Sequence, residues 1–272
     1  MARSFLKKYP KDQRLFKSER SGFEGWRSNS CIFGIPHYNN PLPSIDKLPG
    51  STTSVFAYFA EGNFEIIENL IERGLNEQLE HLVIGSQISS YQYGFKNYAR
   101  ISELLSRAEF PKLKTFVYGD EFLLANQDAY YPYLGDVSAA LGNMPALERL
   151  KLYGVFALSS RVNLPKLVEL GIHSYWVTDE QLGFISQATL DLLLSSGFES
   201  LETLEIDLIC NYSYDTDGAK QYYQLDEQLF LNFRALNALY ICGYFKAGTT
   251  DRLTRLLSAK IQKLSLEDIN ES

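Results

Sequence analysis

The sequence predicts an α/β chain in which short strands alternate with helices or turns, and three observations carry that prediction. A six-residue core recurs seven times, with Leu or Ile first and apolar residues three and five places later. The stretches between cores carry apolar residues at helical spacing. A Leu, Phe or Met stands three residues ahead of five of the cores. Self-similarity of this kind marks stacked units, each of which needs its neighbours to bury its apolar side.

The cores are Leu79, Leu82, Ile84; Leu113, Phe116, Tyr118; Leu147, Leu150, Leu152; Leu167, Leu170, Ile172; Leu201, Leu204, Ile206; Leu236, Leu239, Ile241; and Ile261, Leu264, Leu266. Their starts are separated by 34, 34, 20, 34, 35 and 25 residues, so one length is repeated and the others arise by deletion or insertion. Within each core the last two apolar positions are two residues apart, which places both on one side of a strand and the residue between them on the other. The preceding apolar residues are Phe110, Met144, Leu164, Phe198 and Phe233, and Pro111, Pro145 and Pro165 follow three of them.

Helical stripes fall at Ile101, Leu104, Leu105, Ala108; Val137, Ala140, Leu141, Met144; Leu182, Ile185, Ala188, Leu192; and Leu253, Leu256, Leu257. Asp136, Asp179 and Asp251 stand near the starts of three of these, where a carboxylate accepts unsatisfied helix N–H groups and complements the dipole. The unit from Leu147 to Leu167 is too short for a helix, and its return through Ser159–Asn163 is expected to be extended or turned.

On these cores the chain resembles the leucine-rich repeat family, in its long-repeat, ribonuclease-inhibitor-like branch. The resemblance spans residues 79–272, and Phe110–Phe116 is its most typical stretch. A helix ending near Leu75, the core Leu79–Gly85, Gly119-Asp120 after the second core and Asp136-Val137-Ser138 before the third are similar in order to bacterial cytoplasmic leucine-rich repeat proteins sometimes encoded near WGR-domain proteins. The resemblance implies a solenoid of about seven strand units, with a curved parallel sheet on the concave side and helices and loops on the convex side. One departure stands out. The position usually held by Asn or Cys is Gln87, Glu121, Val155, Tyr175, Ile209, Tyr244 and Ile269, so the turns after the strands must satisfy their backbone groups without a buried Asn ladder.

Residues 1–78 contain no clear core and read as an N-terminal cap of the solenoid at 79–272. Cys31 to Pro49 holds four prolines and reads as turn-rich, Ser54–Phe59 as the strand of a degenerate first repeat, and Phe64, Ile67, Leu70 and Ile71 as one face of a helix. Two insertions, Asn126–Tyr133 and Asn211–Tyr223, are rich in Tyr, which packs loops onto their own scaffold more often than it contacts partners.

The 272 residues are 45% hydrophobic and 14% aromatic, enough for a substantial core and unlike a disordered or fibrous chain. No apolar run reaches the length of a bilayer span and the first 20 residues are charged, so the expectation is a soluble cytoplasmic protein without membrane contact. Cys31, Cys210 and Cys242 lack pairing or zinc spacing, and reduced thiols are expected. The net charge of −7 is uneven: residues 1–20 hold seven Lys/Arg against two Asp/Glu, which leaves −12 on the remainder. An acidic body repels phosphate backbones and favours basic partners, so nucleic acid is not expected.

Catalytic and metal motifs fail. His37, His81 and His173 are the only histidines, none within four residues of another or of a Cys. No G-x-S-x-G, P-loop or G-x-G-x-x-G occurs, Asp215-Thr216-Asp217-Gly218 is spaced as a turn and not as a calcium loop, and Glu202/Glu205 do not by themselves make a glycosidase pair. No enzyme, cofactor or metal is expected. What the architecture offers is a surface. Strand parity assigns to the exposed side His81, Val83, Gly85; Thr115, Val117, Gly119; Arg149, Lys151, Tyr153; Glu169, Gly171, His173; Thr203, Glu205, Asp207; Ala238, Tyr240, Cys242; and Lys263, Ser265, Glu267. The expected partner-binding residues are Arg149, Lys151, Tyr153, Glu169, His173, Glu205, Asp207 and Tyr240. Their opposite charges either complement a partner or offset each other across the sheet. The functional expectation is a non-enzymatic module that binds another protein on this face, in its sharper form an inhibitor or immunity protein of a basic toxin or nuclease. The alternative is a structural or regulatory scaffold subunit of a larger complex. Oligomeric state is open.

Overall fold

A computed structural model describes residues 30–33, 53–59, 64–86, 97–119, 133–174, 184–208 and 221–269. In them the chain is α/β. The strands are β1 (Ser30–Phe33), β2 (Ser54–Phe59), β3 (His81–Ser86), β4 (Thr115–Gly119), β5 (Tyr133–Asp136), β6 (Arg149–Tyr153), β7 (Val155–Ala157), β8 (Glu169–His173), β9 (Thr203–Asp207), β10 (Ala238–Gly243) and β11 (Lys263–Asp268). The helices are α1 (Glu65–Glu72), α2 (Ala99–Leu105), α3 (Ser138–Gly142), α4 (Gln187–Leu194), α5 (Glu227–Leu231) and α6 (Thr249–Leu257).

Nine strands form one sheet in the order β1-β2-β3-β4-β6-β8-β9-β10-β11, and every neighbouring pair is parallel. Each strand is therefore laid beside its predecessor in the same direction. That arrangement demands a crossover between successive strands, which helical or extended segments supply where the connection is described. β5 and β7 stand apart as a second, two-stranded parallel ribbon.

The recurring core sets the register. Leu82, Phe116, Leu150, Leu170, Leu204, Leu239 and Leu264 are aligned across β3, β4, β6, β8, β9, β10 and β11, and the positions two residues on form a second row. Both rows are fully buried except in β11, where Leu264 and Leu266 are half-buried. A one-residue slip in any pair would turn a row of apolar side chains to the other face, so the repeat specifies its own pairing.

The apolar residue ahead of each core is the first residue of a turn. Leu113 N–H donates to Phe110 O, Leu147 to Met144 O, Leu167 to Leu164 O, Leu201 to Phe198 O and Leu236 to Phe233 O, at 3.0 to 3.3 Å. Proline is favoured at the second position of such a turn because its fixed φ matches, which accounts for Pro111, Pro145 and Pro165. The entries of β4, β6, β8 and β9 then repeat one bond pair: Glu80 O accepts from Lys114 and Thr115 N–H, Lys114 O from Glu148 and Arg149, Glu148 O from Val168 and Glu169, Val168 O from Glu202 and Thr203.

The backbone groups that follow the strands find partners piecemeal. Beyond the strand ends the backbone ladder continues through Gly154 N–H to His173 O, Ser174 to Asp207 O and Leu208 to Cys242 O. Val155, one of the positions expected to need another partner, is paired in β7 with Tyr133 of β5. Polar side chains cap neighbouring carbonyls: Asn143 Nδ2 donates to Ser106 O at 2.9 Å and Lys260 Nζ to Phe233 O at 3.1 Å. Gln87, Glu121, Tyr175 and Ile209 lie outside the described residues.

β2 and α1 coincide with the strand and helix expected at Ser54–Phe59 and Phe64–Ile71. β1 corrects the reading of Cys31–Pro49 as turn from its start, since Cys31–Phe33 pair with Val55–Ala57. A four-residue strand is too short for any period to reveal. The third stripe needs correction as well: in α4 the core-facing residues are Leu190, Leu193 and Leu194, with Leu192 half-buried and Ala188 exposed. Ser186, not Asp179, caps it by accepting from Thr189 N–H at 3.1 Å. Leu182 and Asp179 lie outside the described residues. Asp136 does act as expected, accepting from Ser138 N–H at 2.9 Å, and Asp251 sits in the first turn of α6. The unit from Leu147 to Leu167 returns without a helix, through β7 and a bend.

Candidate functional site

The eight residues expected to bind a partner occupy one face of four adjacent strands, β6, β8, β9 and β10. Register places them in three rows. The first runs Arg149, Glu169, Thr203, Ala238; the second Lys151, Gly171, Glu205, Tyr240; the third Tyr153, His173, Asp207, Cys242. Neighbouring strands lie about 4.8 Å apart, so members of a row are within side-chain reach of one another.

The first two rows are joined by charge. Arg149 Nε lies 3.2 Å and Lys151 Nζ 3.6 Å from the two oxygens of Glu169, so one carboxylate serves two cations. The Arg149 pair is half-exposed and belongs to the class worth ~0.2–1 kcal/mol. Lys151 is different, being only 5% exposed. Its burial has a local cause in Gly171. A Cβ at Gly171 would lie 3.4 Å from both Lys151 Cγ and His173 Nε2, so the missing side chain leaves the space in which the lysine stem and the imidazole lie. In the third row the Tyr153 and His173 rings stack at 4.8 Å between centroids with an interplanar angle of 10°.

Parity assigned the right residues to this face but not their exposure. Tyr153, His173 and Asp207 are 3%, 5% and 1% exposed, and Val83, Val117, Ala238 and Cys242 are buried too. The expectation of exposure is therefore corrected for the third row and also for Lys151, Val83, Val117 and Ala238. Alternation distinguishes two faces of a strand, whereas stacking of side chains within one face depends on neighbours that no single strand reveals. Arg149, Glu169, Glu205 and Tyr240 are half-buried and form the accessible part of the eight. Burial pushes the Glu205 carboxyl above the usual carboxylate range; the nearby Lys151 charge works against that shift and Glu169 adds to it. At β3, burial lowers the His81 pKa, with the Lys114 and Arg149 charges adding to the effect and the Glu80 and Glu148 charges opposing it.

Gly119 closes β4 beside the third row. Its φ of 111° lies in the region that favours glycine, and a Cβ there would overlap the Tyr153 carbonyl. The Tyr-rich insertions are described only at their ends. Tyr133 opens β5, and buried Tyr223 donates its hydroxyl to Ile185 O at 2.8 Å, tying the chain to its own scaffold, while Tyr222 is 44% exposed. The rest of both insertions lies outside the described residues, as does Asp215–Gly218.

One polar residue went unnoticed in the sequence. Asn76 stands three residues before Leu79, where the other units carry Phe110, Met144, Leu164, Phe198 and Phe233. It is buried, its amide donates to Glu109 O at 2.8 Å, and its Oδ1 accepts from no group among the described residues. It borders a recess of about 660 Å³ lined also by Gly74, Glu77, Glu109, Pro111 and Lys112. The break in the apolar column was the signal that marks it.

Among the described residues no three His, Cys, Asp or Glu side chains are grouped to hold a metal ion, and no helix is long and apolar enough to cross a membrane. No known family, curated protein or solved structure matches the chain.

Proposed function

We propose that the chain is a leucine-rich-repeat-like solenoid and a non-enzymatic, cytoplasmic protein-binding module that recognises another protein on the sheet face opposite the apolar rows. Its partner is basic, and the sharper form of the reading is an inhibitor or immunity protein of a basic toxin or nuclease. The observation that carries the reading is the continuity of the mixed-charge face: Arg149, Lys151, Glu169, Glu205 and Tyr240 are set in register on rigid, hydrogen-bonded strands. A surface built on such strands is pre-organised, so little conformational entropy is lost when a partner docks. The charge of −12 outside the first 20 residues supports a basic partner through long-range steering.

The test begins with affinity capture from native cells, followed by association rates for the purified pair at low and moderate salt. A single basic protein, bound more slowly by the Glu169→Lys, Glu205→Lys double variant, is the expected result. Several stably associated subunits, with rates indifferent to that variant, would replace this reading by that of a scaffold subunit.

A further inference from the structure

We propose that Glu205 is the anchor for a cationic side chain, arginine or lysine, of the protein that binds this face, with Tyr240 forming the wall beside it. The inference rests on the reading of the sheet face as a docking surface and adds the chemical group that the surface takes.

Three structural observations lead to it. Arg149 and Lys151 both turn to Glu169, so the two basic residues of β6 converge on one carboxylate. Glu205, one strand further on, accepts no hydrogen bond and forms no ion pair among the described residues, although it is half-buried. A carboxylate in that position bears a desolvation cost that the Lys151 charge offsets only in part, which is the pattern of an acceptor completed from outside. Tyr240 is its register partner on β10, on the same face and also half-buried. A planar guanidinium or the stem of a lysine fits between a carboxylate and an aromatic ring, gaining charge pairing on one side and cation–π contact on the other.

The charged and titratable groups around Glu205 are Lys151 and Arg149 on β6, Glu169 and His173 on β8, Asp207 on β9 itself and Tyr240 on β10, with Lys263 and Glu267 on β11 beyond. Burial holds the Glu205 proton more tightly than in an exposed glutamate. An incoming cation favours the ionised form, so binding releases that proton and weakens as pH falls through the Glu205 titration.

The probe is a capped Gly-Arg-Gly peptide, with Gly-Lys-Gly and the neutral Gly-citrulline-Gly peptide as comparisons, titrated at low salt into the full chain and followed by NMR of the Glu205 side-chain carboxyl and the backbone amides. The Arg and Lys peptides are expected to move the Glu205 titration to lower pH and to shift amides at Glu205, Tyr240 and Gly171, while the citrulline peptide does neither. Glu205→Gln, which preserves shape, should weaken the Arg peptide by about tenfold, the loss expected when one partner of a charge-assisted pair is removed. Equal shifts from Arg and citrulline peptides, or unchanged binding to a folded Glu205→Gln chain, would overturn the proposal. The two readings separate cleanly: a partner that covers the face while Glu205→Gln leaves its affinity unaltered removes this inference alone, and a partner footprint elsewhere removes the reading beneath it.

Discussion

The two faces of the nine-stranded sheet are built by the same strands and obey different rules. On one, Leu82, Phe116, Leu150, Leu170, Leu204 and Leu239 form a row of closely similar side chains, all essentially buried. On the other, each row changes character from strand to strand, from Lys151 to Gly171 to Glu205 to Tyr240. The apolar face needs only complementary volume, so repetition suffices. The opposite face contains buried polar groups at Lys151, His173 and Asp207, whose desolvation has to be compensated by particular partners, and a repeated residue type would place like charges side by side. Uniformity is thus the signature of the stacking core, and variation that of a face whose charges and volumes are matched pair by pair.

The largest effect expected from this contrast lies on the apolar side. Leu150→Ala should lower unfolding free energy by ~2–5 kcal/mol in denaturant titration, through lost transfer energy and a residual cavity. Gly119→Ala comes next, because the positive φ alone costs ~1–3 kcal/mol and a Cβ there meets the Tyr153 backbone. That variant should melt earlier than wild type, and an unchanged Tm would show that β4 and β6 are not packed as closely as described.

How much of this was legible follows the same division. Seven strands and their register were readable because Leu-x-x-apolar-x-apolar is a local pattern, and the apolar residue and proline ahead of it, as in Phe110-Pro111 and Met144-Pro145, were visible without revealing the turn they form. β1, the β5–β7 ribbon and the core face of α4 were not, since each depends on neighbours remote in sequence. On the opposite face, parity named Lys151, His173 and Asp207 correctly and their exposure wrongly. The space over Gly171 is filled by side chains from β6 and β8, and no reading of one strand contains that fact. The half-buried state of Glu205 has the same origin, a cost set by surroundings and not by the residue itself.

A smaller and pH-dependent effect is expected at Glu205. A carboxyl whose folded pKa is raised binds its proton more tightly in the folded state, so its contribution becomes more favourable as pH falls through that pKa and is complete below the unfolded value. Glu205→Gln removes this dependence. The variant should be more stable relative to wild type at neutral pH than at acid pH, and a constant difference between pH 4 and pH 7 would place the carboxylate in water. Thr203→Ala, half-buried in the first row, should change stability by only about 0.5 kcal/mol or less. A loss there as large as that of Leu150→Ala would mean that the two faces had been exchanged.

The central claim is that recognition belongs to the variable face, and carboxyl and tyrosine footprinting of the chain with and without its captured partner tests it most directly. Glu169, Glu205 and Tyr240 should lose reactivity on binding, while Glu103 in α2, Asp191 in α4 and Asp251 in α6 keep theirs. Protection of the helical residues, with the reactivity of Glu169, Glu205 and Tyr240 unchanged, would contradict the account.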